Sequence, residues 1–196
     1  KTHSGLVKMN GYNFTDMNNS LGVIYIVRDP RDVVISFSHH NNQPLSETLK
    51  MIEENFILDN EENRVPVYMG SWSFHYNSWK SFKSSNKYLL IKYEDLIKDK
   101  ENIFRNILVF IKNLSNGSFE IDDSKIKKVI QEIEFEKLKK LEEKKGFPEA
   151  KENEDGKKIS FFRKGLSGQW KNNLDLKTIN SIKKSCGKEM RELGYL

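Results

Sequence analysis

The 196-residue chain has a single cysteine, Cys186, so no disulfide can close within it. That thiol lies among apolar residues at helical spacing, the setting of a buried cysteine in a reducing compartment, and the cytoplasm is the expected location. Long apolar runs are lacking too. Stretches such as Val23-Ile24-Tyr25-Ile26-Val27 stop at strand length, well short of the roughly 20 residues that span a bilayer, so no membrane association is expected. Histidines are few, and His39, His40 and His75 lack acidic or cysteine partners at ligand spacing, so no metal is expected. There is no internal repeat. Charge of one sign is never blocked together: the net +5 is spread over mixed segments, such as Lys137 to Lys145, where Lys and Glu alternate on a solvated helix face. A basic balance suits an anionic ligand, but no nucleic-acid-binding motif accompanies it, and nucleic acid is not an expected partner.

What is present is enough for a core. Hydrophobic residues make up 37% and charged residues 31%, and the length fits one domain spanning 1–196. Gly22 to Val27 is a continuous apolar run rich in β-branched residues, the pattern of a strand buried on both faces of a parallel sheet, and Tyr88-Leu89-Leu90-Ile91 repeats it. Between and after them run apolar stripes at helical steps. These are Leu49, Ile52 and Phe56; Trp72, Tyr76 and Trp79; Ile103, Ile107, Leu108 and Ile111; and Ile126, Val129, Ile130 and Ile133. Strands separated by helices imply right-handed crossovers and a helix-rich α/β fold with a central parallel sheet. Ser46, Asp99 and Asp175 are predicted to begin helices, and Gly194 to stop one. Residues 146–158, with Pro148, Gly156 and many charges but no period, are predicted to be an exposed mobile loop.

The richest local signal is Val27-Arg28-Asp29-Pro30-Arg31-Asp32, followed by Val33-Val34-Ile35-Ser36. A buried strand ends at Arg28, Asp29 can cap the next helix, and Pro30 takes the first helical position, where its missing N–H costs nothing. In open α/β sheets ligands bind beyond the carboxyl ends of strands, where helix N-termini offer amides and a positive dipole end to anions. Arg28 with Ser36 two turns on would suit a phosphate; an arginine simply paired with Asp32 is the competing reading. A second cationic segment, Phe162-Arg163-Lys164-Gly165-Leu166-Ser167-Gly168-Gln169-Trp170-Lys171, sets glycines among cations, so backbone amides can approach a ligand closely. Both segments could converge on one anion.

Together these segments resemble the cytosolic PAPS-dependent sulfotransferases. Arg28 and Ser36 match the arginine and the serine eight positions later that hold the 3′-phosphate of 3′-phosphoadenosine 5′-phosphosulfate (PAPS). Arg163-Lys164-Gly165 to Gly168-Gln169-Trp170-Lys171 is similar to the family's Arg-Lys-Gly-x-x-Gly-Asp-Trp-Lys signature, with Gln169 where Asp is usual. Arg163, Lys164 and Gly165 are thereby also expected at the 3′-phosphate. Lys1-Thr2-His3 resembles the element whose histidine is the catalytic base, with its lysine close by. Gly70-Ser71-Trp72 through Trp79 resembles a helix after the substrate-side region. Tyr93, in Tyr93-Glu94-Asp95, and Phe135, in Glu134-Phe135-Glu136, match aromatic positions near the adenine. The resemblance implies a P-loop-NTPase-like three-layer α/β fold and PAPS as sulfuryl donor.

One family element has no counterpart. No Pro-Lys-Ser-Gly-Thr loop, the family's cradle for the 5′-phosphosulfate, occurs in the sequence. The chain opens at Lys1 without methionine or signal-peptide pattern, so the domain is expected to lack its N-terminal strand and that loop. The implied function is transfer of a sulfuryl group from PAPS to a hydroxyl or amine of a small-molecule acceptor, with His3 taking the acceptor's proton. The alternative is an inactive fragment that still binds adenosine bisphosphate. His40 and His75 are candidates for the acceptor pocket. The family's dimerisation signature is poorly reproduced in Lys171 to Asn180, so a monomer or weak homodimer is expected.

Overall fold

In a computed structural model, the structure describes residues 1–55, 57–58, 67–147, 150–152, 156 and 158–196. In chain order the elements are β1 (Lys8–Met9), β2 (Tyr12–Asn13), β3 (Val23–Val27), α1 (Pro30–Asn41), α2 (Leu45–Glu53), β4 (Ile57–Leu58), β5 (Val67–Tyr68) and α3 (Trp72–Trp79). A 3-10 segment (Lys80–Ser85) leads into β6 (Tyr88–Lys92), α4 (Tyr93–Lys98), α5 (Lys100–Ser115), α6 (Asp123–Glu132) and α7 (Phe135–Lys145). Then follow β7 (Lys151–Glu152), β8 (Lys158–Ile159), α8 (Trp170–Asn173) and α9 (Leu176–Glu192).

The two β-branched and aliphatic runs pair as predicted: β3 lies parallel to β6, with Tyr25 opposite Leu90 and Val27 opposite Lys92. The chain is therefore a helix-rich α/β fold. Alternation decides the faces. Val27, with Tyr25 and Leu90, packs on Trp72 and Tyr76 of α3 and on Leu193, while Ile24 and Ile26 on the other face are exposed, so β3 is buried on one face and not, as its apolar run predicts, on both. A second core joins Val34 of α1 and Ile52 of α2 to Ile182, Cys186 and Met190 of α9. Cys186 is fully buried there, and burial pushes its thiol up from its ordinary value.

Capping explains where the helices begin and end. Asp29 accepts from the Arg31 amide at the start of α1, with Pro30 at the first position. Asp99 and Asp175 cap α5 and α9 as expected. Ser46 does not begin a helix: α2 starts one residue earlier, after Pro44, because proline's fixed φ already sets the chain for the first turn. At the end of α9, Gly194 takes φ +71°, its amide donates to the Arg191 carbonyl and the Tyr195 amide to that of Met190, so the last carbonyls are closed. Of the stretch predicted as a mobile loop, residues 148–149, 153–155 and 157 lie outside the described residues, as does Phe56 of the second predicted helix; Lys151 and Glu152 pair antiparallel with Ile159 and Lys158.

Candidate functional site

A cavity of about 890 Å³ opens beyond the carboxyl end of β3, where the topology of parallel strands and following helices leaves a crevice. Lys1, His3, Arg28, Ser36, Tyr93, Phe135, Arg163, Lys164 and Gly165 all line it. Nine positions spread from the first residue to the 165th thus meet in one space.

Arg28 leaves β3 with its guanidinium set over the Tyr93 ring, 4.5 Å from the centroid, a cation–π contact that fixes its plane. Its Nη2 donates to the Leu166 carbonyl at 2.7 Å and lies 3.6 Å from the Asp32 carboxylate. The pairing with Asp32 and a place in the cavity are therefore both real. Its Nε is buried with no hydrogen-bond partner among the described residues. A buried cationic donor left unmatched is costly. Ser36, two turns along α1, faces the same space.

Residues 160–170 reach this place because two carboxylates hold their amides. Asp32, fully buried in the first turn of α1, accepts from Gly168 N at 2.6 Å and from Trp170 N at 2.9 Å. Glu142 of α7 accepts from Phe161 N at 2.6 Å, Phe162 N at 2.9 Å and the Ser160 hydroxyl at 3.2 Å. Arg31 stacks on the Trp170 ring at 3.7 Å while forking onto Asp29, which seats the far end of the segment on α1. Between these anchors stand Arg163, Lys164 and Gly165. Gly165 has φ +61°, and a Cβ there would lie 2.5 Å from the Phe135 ring, so only glycine fits. Arg163 donates to the Gln169 side-chain oxygen at 3.1 Å, a neutral acceptor that leaves its charge uncompensated.

Phe135 belongs to a wall of rings, edge-on to Phe162 at 6.1 Å, with Phe147 against both Phe161 and Phe162, and Phe161 against His40. His40 lines the cavity, as expected for an acceptor-side candidate. His75 does not line it; it is a strut, with Nδ1 2.8 Å from the Tyr25 hydroxyl and Nε2 3.2 Å from the His3 carbonyl. Burial lowers its pKa and raises that of Tyr25, so this pair is neutral. Trp79 Nε1 donates to the Ser4 carbonyl, and the Leu6 amide to Ser78 Oγ; these bonds and His75 carry the stretch around His3 along α3 to the cavity mouth. The sequence reading missed Asp32 and Glu142 as organisers. The acid at the fifth position of Arg-Asp-Pro-Arg-Asp was the one visible signal, and Glu142 sat within a run read as solvated. Among the described residues no three His, Cys, Asp or Glu side chains gather at ligand distance.

A family model described as a sulfotransferase domain matches residues 10–194. The chain is 26% identical over 184 residues to amine sulfotransferase of Oryctolagus cuniculus, covering 89% of this chain and 56% of that protein. It is 30% identical over 167 residues to sulfotransferase 2A6 of Mus musculus, covering 83% and 54%. The chain spans about half the length of the curated relatives it matches. Among solved structures, mouse sulfotransferase SULT7A1 complexed with PAP superposes with a TM-score of 0.59 at 23% identity, covering 87% of this chain and 58% of that one. Retinol dehydratase in complex with androsterone and inactive cofactor PAP does so with 0.61 at 20% identity, covering 86% and 47%. At these identities the likeness carries the fold.

Proposed function

The chain belongs to the sulfotransferase domain family, and from that premise we propose that it serves PAPS-dependent transfer of a sulfuryl group to a hydroxyl or amine of a small-molecule acceptor. The observation that carries the reading is the convergence of Arg28, Ser36, Arg163, Lys164 and Gly165 on one cavity. A tetrahedral dianion satisfies such a set: guanidinium forks, an ammonium, a hydroxyl and main-chain N–H of a segment free of Cβ bulk. The residues present therefore fit a 3′-phosphate, with Tyr93 and Phe135 offering ring faces for the adenine. PAPS, when bound, supplies the sulfuryl group and the bisphosphate that leaves.

The protein's own part is positioning and proton handling. Arg28 is pre-oriented by Tyr93 and the Leu166 carbonyl, so little side-chain freedom remains to be lost on binding. His3 at the cavity mouth would take the acceptor's proton, with Lys1 beside it. The apolar remainder of the cavity, including Phe37, Met69, Phe104 and Phe161, suits an acceptor with an apolar body; relatives named for steroids and amines are in keeping with that class. Nucleic acid and membrane have no part in the proposal. Among the described residues no helix is long and apolar enough to cross a membrane; the buried thiol is in keeping with a cytoplasmic protein, and the poor dimerisation signature in Lys171 to Asn180 with a monomer or weak homodimer.

Binding without transfer is the second reading, favoured by one observation: Arg28, Ser36, Arg163, Lys164 and Gly165 form a phosphate set that does not itself depend on transfer. One experiment addresses both. Calorimetric titration with adenosine 3′,5′-bisphosphate tests the site, and release of labelled sulfate from PAPS into an acceptor mixture tests transfer. Binding with transfer supports the enzyme, binding alone the second reading, and no binding removes the assignment.

A further inference from the structure

Beside the first cavity, and sharing His39, Ser160 and Arg163 with it, lies a second cavity of about 480 Å³ lined also by Asn42, Lys139, Lys158 and Ile159. Among the described residues its polar lining has four basic side chains, a hydroxyl and an amide, and no carboxylate. The basic groups come from separate elements: His39 from the last turn of α1, Lys139 from α7, Lys158 from β8 and Arg163 from the segment that follows. Convergence from four places is not the periodic lysine spacing of a solvated helix face.

Among the described side chains no carboxylate pairs with this cluster. Glu142, one turn along α7 from Lys139, spends both oxygens on Phe161 N, Phe162 N and Ser160 Oγ. Neither Lys139 nor Lys158 makes an ion pair among the described residues, and Glu143 makes none with Lys139. The α1 C-terminus, whose carbonyls would repel an anion, is closed, because Asn42 N donates to the His39 carbonyl and Gln43 N to that of Ser38. Repulsion within the cluster is already felt: burial and the Arg163 charge lower the His39 pKa.

We propose that this cavity binds a second tetrahedral oxyanion of the phosphate or sulfate class, beside the nucleotide pocket and sharing His39, Ser160 and Arg163 with it. The inference rests on the lining of this cavity and not on the nucleotide reading. Lys139 and Lys158 supply mobile ammonium donors, His39 a ring N–H and Ser160 a hydroxyl, so a dianion gains charge-assisted hydrogen bonds from elements that otherwise repel one another. Its arrival reverses the field at His39.

Sodium sulfate, a dianion across the useful pH range, is the probe, with sodium chloride at equal ionic strength as its control. The His39 ring Cε1 proton, assigned with His39→Gln, is followed by NMR over pH in the full chain. Sulfate is expected to raise the pH midpoint of His39 by about one pH unit more than chloride does, the effect of an opposite charge within a few ångströms. The rise should vanish in Lys139→Gln/Lys158→Gln and persist in Arg28→Ala and in the milder Ser36→Ala, which disarm the first cavity. Equal shifts in chloride would mean screening alone, survival in the double variant would mean the lysines are not ligands, and loss in both Arg28→Ala and Ser36→Ala would mean the ion sat in the first cavity. Each of these overturns the proposal. Failure of bisphosphate binding would leave it untouched.

Discussion

Arg28 is the residue on which the proposed site turns, because it lines the cavity with its guanidinium already held by the Leu166 carbonyl and the Tyr93 face. Arg28→Ala should therefore weaken adenosine 3′,5′-bisphosphate by about 10- to 150-fold, the equivalent of roughly 1.5 to 3 kcal/mol for charge-assisted bonds. Ser36→Ala, which removes one neutral hydroxyl, should cost less, and calorimetry ranks the two. As the proposed base, His3 would act on a different atom. In a protein that also carries the 5′-phosphosulfate loop, His3→Ala should lower turnover by about 100- to 10,000-fold while bisphosphate affinity stays within about threefold. A matched fall in affinity would instead make His3 part of the phosphate site.

At the scale of elements, two carboxylates carry the segment 160–170 and one helix seam carries much of the rest. Asp32→Ala leaves the Gly168 and Trp170 amides without their acceptor. Hydrogen exchange should then quicken at those amides while the α9 amides keep their protection, and affinity for the bisphosphate should fall although Asp32 itself carries the wrong charge to hold it. The α3–α9 seam makes a pH prediction. Burial alone would raise the Glu189 pKa, but donation from Asn77 and Ser73 outweighs it and holds it low; the Lys80 hydrogen bond, with help from the Tyr76 hydroxyl, holds Glu192 low. Both folded values lie below the unfolded ones, so the stability they contribute is complete above about pH 4.5 and is lost as pH falls through the folded values. Thermal midpoints of Glu189→Gln/Glu192→Gln should be lower at pH 7 and should fall less steeply below pH 4.5 than those of the parent chain.

Over the whole molecule, the site draws on the first residues, α1, α4, α7 and the segment before α8, so a ligand there ties distant stretches together. Bisphosphate at 100 times its Kd should stabilise the fold by about 2.7 kcal/mol and raise the melting midpoint by about 5 to 10 °C. Arg28→Ala at the same concentration should show much less. The parallel pair and the Asp29–Pro30 helix start could be read beforehand, since burial pattern and capping chemistry are local properties of sequence, whereas a shared place for Arg28, Ser36, Tyr93, Phe135 and Arg163 was implied by the family resemblance. The roles of Asp32, Glu142 and His75 could not. Each is settled by what lies opposite in space: amides more than 130 residues away for Asp32, amides of the next segment for Glu142, a tyrosine and a carbonyl for His75. The Asp32 grip also bears on how such a site would drift among descendants of this gene. Its partners at 168 and 170 are main-chain groups, which every residue but proline provides. An alignment of close homologues should therefore find position 32 held to aspartate with no covarying mate, and its one mark elsewhere should be the exclusion of proline at 168 and 170.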